Sequence, residues 1–77
     1  MNALLIAWET TVEDVENVLT SMGKSPGKAK TIFDELDCEE VAKAALTETD
    51  FEKQVAVAYQ EIENQIREKN LLLAVEG

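Results

Sequence analysis

Four times in this chain a Thr, Ser or Asp stands just ahead of a stretch in which apolar residues recur at spacings of three and four. A side-chain oxygen in that place accepts from the free N–H groups of a helix's first turn, so the pattern predicts an all-α chain. Thr10 or Thr11 can cap a first helix, with Glu13 or Asp14 completing a capping box, and Val12, Val15, Val18, Leu19 and Met22 form its apolar stripe. Gly23 stops it. Ser25 followed by Pro26 opens a second helix, roughly 26 to 36, carrying Ala29, Ile32, Phe33 and Leu36. Asp37 and Glu40 form a further box before a short third helix, whose face is Val41, Ala42, Ala45 and Leu46.

Thr49 and Glu52 form a further capping box at the start of the longest helix, about 50 to 69, lined on one side by Phe51, Val55, Ala58, Tyr59, Ile62 and Ile66. Asn70 ends it. The fold expected is therefore a small bundle of about four helices, with Val15, Leu19, Ile32, Phe33, Leu36, Val55, Tyr59, Ile62 and Ile66 as its core. Two apolar terminal segments, residues 1–8 and 71–75, lie outside this pattern. Such short runs fit strands and helix extensions equally well by periodicity. Trp8, Leu71, Leu72 and Leu73 are the candidates for self-association, with core packing as the simpler role for Trp8 because a tryptophan buries so much area.

The 77 residues contain no linker, low-complexity tract or internal repeat and read as one domain, 1–77. A chain this short buries only about 60% of the surface it exposes when unfolded. Disulfides, metals or tight helix packing usually support such scaffolds, and a single cysteine with no histidine leaves the helices, packed alone or across a homodimer. One cysteine gives no sign of an oxidising compartment, so a cytoplasmic setting is expected. The apolar opening lacks a basic region and falls short of the roughly 20 residues a membrane span needs, so neither a signal nor an anchor is expected there.

Sixteen Asp and Glu against seven Lys and Arg give a net charge of −9, distributed over both halves of the chain. Phosphate backbones and anionic lipids repel such a surface, which argues against nucleic acid or membrane as a direct partner and favours a basic protein surface. Catalysis by a serine or cysteine nucleophile generally needs a base beside it, commonly the histidine this chain lacks. Cys38 has Asp37, Glu39 and Glu40 as sequence neighbours, whose charge opposes a thiolate, and is read as a partly buried packing residue. No enzyme, no cofactor and no metal site is expected. In particular, the stretch from Asp34 to Glu40 puts Leu36 and Cys38 where a calcium loop requires oxygens. Gly23-Lys24-Ser25-Pro26-Gly27-Lys28-Ala29 has the wrong glycine spacing for a phosphate loop and no Ser or Thr for magnesium, and reads as an interhelical turn. A helix-turn-helix reading of helices two and three would present Cys38, Glu39 and Glu40 to the groove, where phosphate contacts favour Lys and Arg.

Many of the acids have a local explanation, since helices favour carboxylates in their first turns. Glu39 with Lys43 and Glu63 with Arg67 are i,i+4 pairs in the favourable order. Asp34 and Glu35 differ, because they sit at the C-terminal end of helix two, where the dipole disfavours negative charge. With Asp37, Glu39 and Glu40 they form a dense acidic corner, the candidate partner-binding residues. Clustered carboxylates of this kind can compete with DNA for a basic groove. The corresponding function is an acidic protein-binding module, an inhibitor or decoy of a host nucleic-acid-binding protein. The alternative is a structural homo-oligomer.

An acidic four-helix chain of this length also invites comparison with acyl carrier proteins, but the local segment Leu36-Asp37-Cys38 lacks the serine of their Asp-Ser-Leu motif. Thr-Val-Glu-Asp-Val at 11 to 15, Phe33-Asp34-Glu35-Leu36-Asp37, Val41 to Leu46, Asp50 to Gln54 and Ala58 to Glu68 together resemble small acidic proteins encoded on bacterial phages and plasmids. The resemblance runs over residues 11 to 73. It implies a setting in which small proteins bind and block host defence or replication enzymes, and it carries no functional residues to positions here.

Overall fold

A computed structural model describes residues 8–71, and these are all-α. The order is α1 (Val12–Ser21), a 3-10 turn (Pro26–Lys28), α2 (Ala29–Glu35), α3 (Cys38–Ala45) and α4 (Phe51–Glu68). The structure resolves the cap left open at α1. Thr11 Oγ1 accepts from Asp14 N–H at 3.2 Å, and Asp14 Oδ2 accepts from Thr11 N–H at 2.9 Å, a complete capping box. Thr10 is instead buried, its hydroxyl accepting from Trp8 Nε1 at 3.0 Å.

Two helices end in the same way. At the close of α1, Gly23 N–H donates to Thr20 O at 3.0 Å and Lys24 N–H to Leu19 O at 2.9 Å, around Gly23 at φ 79°. At the close of α4, Asn70 takes that position at φ 56°, with Asn70 N–H on Arg67 O and Leu71 N–H on Ile66 O. Both are Schellman turns, which reverse the chain and satisfy otherwise free carbonyls. The residue after the left-handed one folds back over the last turn, which is why Leu71 is buried, at 9% exposure, in the core that contains Ile66.

Two helix starts and one side-chain pairing differ from the sequence reading. Helix two begins as a 3-10 turn, with Ser25 Oγ accepting from Gly27 N–H, and becomes α-helical only at Ala29. Gly27 is a poor helix residue in the turn where the helix would have to nucleate. In α4 the cap is Asp50, not Thr49. Asp50 Oδ1 accepts from Glu52 N–H at 2.9 Å, placing a charged acceptor at the positive end of the helix. At α3, Asp37 caps as expected by accepting from Glu40 N–H, while Glu40 turns to Lys43 at 3.5 Å, so Lys43 pairs three residues back and not with Glu39.

α3 lies antiparallel along α4, while α1 packs on α2 and on α4. The core is Val15, Val18, Leu19, Ala29, Ile32, Val41, Ala45, Ala58, Ile62, Ile66 and Leu71. Ala29, Ala45 and Ala58 are buried on three different helices, which lets the backbones approach closely. Of the expected core, Val15, Leu19, Ile32, Ile62 and Ile66 are fully buried. Phe33, Leu36, Val55 and Tyr59 are only half-buried, and Phe33, Leu36 and Tyr59 pack against the outside of that cluster. Phe51 and Leu46 depart furthest, at 66% and 47% exposed. Phe51 is the first residue of α4 and Leu46 the cap of α3, so each lies at a helix end, where the apolar stripe has run past the packing. No helix among the described residues is long and apolar enough to cross a membrane. The apolar opening at residues 1–7, Leu72 and Leu73 lie outside the described residues.

Candidate functional site: the acidic corner at the α2–α3 joint

Between α2 and α3 only Leu36 and Asp37 intervene, so the end of one helix and the start of the next share a tight corner. Asp34, Glu35, Asp37, Glu39 and Glu40 all lie on it and all are exposed. Asp34 takes a bidentate contact from Lys30 Nζ, at 2.7 and 2.9 Å, one turn earlier on α2. Lys43 reaches Glu40 at 3.5 Å. Glu35 and Glu39 make no ion pair among the described residues. Five carboxylates against the ammonium groups of Lys30, Lys43 and Lys69 leave the corner net negative.

What holds the corner comes from α4. Gln65 is 4% exposed, and its side-chain amide pairs with the backbone of Asp37 in both directions. Gln65 Oε1 accepts from Asp37 N–H at 2.8 Å, and Gln65 Nε2 donates to Asp37 O at 3.1 Å and to Glu61 Oε2 at 3.1 Å. The N–H that a reciprocal capping box would give to Glu40 thus goes to Gln65. One turn further along α4, Lys69 Nζ donates to Glu35 O at 3.1 Å, the carbonyl of the last residue of α2. That places a positive charge on the negative end of the helix and offsets the unfavourable position of Asp34 and Glu35. The acidic corner is therefore fixed through its backbone, leaving its side chains outward.

No capping, charge or catalytic motif in the sequence singles out Gln65. Its position gives a usable signal: it falls three after Ile62 and one before Ile66, inside the apolar stripe of α4, where a polar residue must find partners in the core. No buried side-chain nitrogen or oxygen among the described residues lacks one.

Cys38, the first residue of α3, is half-buried beside this corner. Burial pushes its thiol pKa up, and the charge of Asp37 raises it further, so the thiolate is suppressed at neutral pH. No group of three or more Cys, His, Asp or Glu able to hold a metal gathers among the described residues. The self-association candidates lie elsewhere. Trp8 packs half-buried against the core, and Leu71 is engaged within the chain by the turn that ends α4. The Gly23 to Ala29 segment forms the interhelical turn that its residues predict.

A second polar joint ties α1 to α4. The Tyr59 hydroxyl donates to Asp14 Oδ1 at 3.0 Å and accepts from Asn17 Nδ2 at 3.1 Å, so Asp14 serves the α1 capping box with one oxygen and α4 with the other. Burial raises the Tyr59 pKa above its ordinary 10.0, the Asn17 hydrogen bond opposes this, and Asp14 adds to the rise.

Comparison of this chain with protein-family models, with curated proteins and with solved structures finds no significant match.

Proposed function

We propose that this protein works by binding, without catalysing a reaction, and that its acidic corner docks on the basic face of a nucleic-acid-binding protein as an inhibitor or decoy. The observation that supports this reading is the anchoring of the corner: Gln65 and Lys69 fix the backbone of Asp37 and Glu35 while five carboxylates stay exposed. A charged surface held in place before binding loses less conformational entropy on docking than a mobile one. Competition with phosphate for a basic groove follows from the sign of the charge. The resemblance to phage and plasmid proteins supports a bacterial host as the source of that partner.

The test is capture from nuclease-treated bacterial lysate at low and high salt. It compares the native chain with a variant carrying Asp34→Asn, Glu35→Gln, Asp37→Asn, Glu39→Gln and Glu40→Gln. These changes remove charge at nearly constant shape, and asparagine remains a good helix cap at position 37. The expected result is a nucleic-acid-binding protein retained at low salt, released at high salt and lost with the variant. Equal capture by the variant overturns the proposal. Recovery of only the protein's own copies does so too and supports the structural homo-oligomer instead.

A further inference from the structure

We draw no further inference here: the strongest candidate, the exposed apolar pair Leu46 and Phe51 flanking the α3–α4 turn, carries none because nothing in the structure shows what covers it.

Discussion

The antiparallel pair α3 and α4 is finished differently at its two ends. Where α3 begins and α4 closes, Gln65 and Lys69 bind the backbone of the α2–α3 joint, and Ile66 and Leu71 lie buried beneath. Where α3 ends and α4 begins, Leu46 and Phe51 face outward and the loop is held by local contacts, Thr47 Oγ1 on Ala44 O and Gln54 Nε2 on Glu48 O. The acidic corner is thus the end fixed by long-range hydrogen bonds from α4, and the α3–α4 turn, itself carrying Glu48 and Asp50, is the end closed by local ones. Charge by itself does not order a surface; here a buried amide on the neighbouring helix does.

Substitutions at the two ends should separate accordingly. Ile66→Ala, at the fixed end, should cost the most, about 3 kcal/mol in urea denaturation, from lost burial and the cavity left behind. Gln65→Leu keeps the volume roughly but strands the Asp37 N–H and C=O, and should cost about 2 kcal/mol; a neutral result would show that the corner does not depend on the amide. Tyr59→Phe removes the hydroxyl bridging Asp14 and Asn17, for about 1 kcal/mol. Phe51→Ser, at the other end, should fall within about 0.5 kcal/mol of the native chain in the same assay. A loss there approaching that of Ile66→Ala would erase the contrast.

The titration of Tyr59 sharpens the same picture. Its folded-state pKa lies above the unfolded value of 10.0, so its contribution to stability is complete below that pH and is lost as pH rises through the folded value. Melting curves from neutral to strongly alkaline pH should show this loss for the native chain and a smaller one for Tyr59→Phe. At the corner itself, alkylation of Cys38 near pH 8 should be slower than that of a cysteine in a short unstructured peptide, because burial and Asp37 both raise its pKa.

Much of this fold is legible from local signals. Thr11, Ser25 and Asp37 accept from first-turn amides as their positions predict, and Gly23 and Asn70 close their helices. Local signals are weaker where two residues can do one job, so Asp50 displaces Thr49 as the cap of α4 and Lys43 chooses Glu40 over Glu39. Periodicity marks an apolar stripe but not where its neighbour stops, which is why Phe51 belongs to the stripe of α4 and yet stands exposed. The acidic residues of the corner could be read from the chain, whereas the partnership of Gln65 with Asp37, 28 positions apart, arises only when α3 folds along α4.

The most direct test of this account is amide hydrogen exchange measured residue by residue. The Asp37 amide, at the joint between two helices, should be protected to nearly the same degree as the core amides of α4, while those of Thr49 and Asp50 at the opposite turn exchange quickly. Exchange at Asp37 as fast as at Thr49 would mean that Gln65 does not hold the corner, and the binding proposal would lose the observation on which it stands.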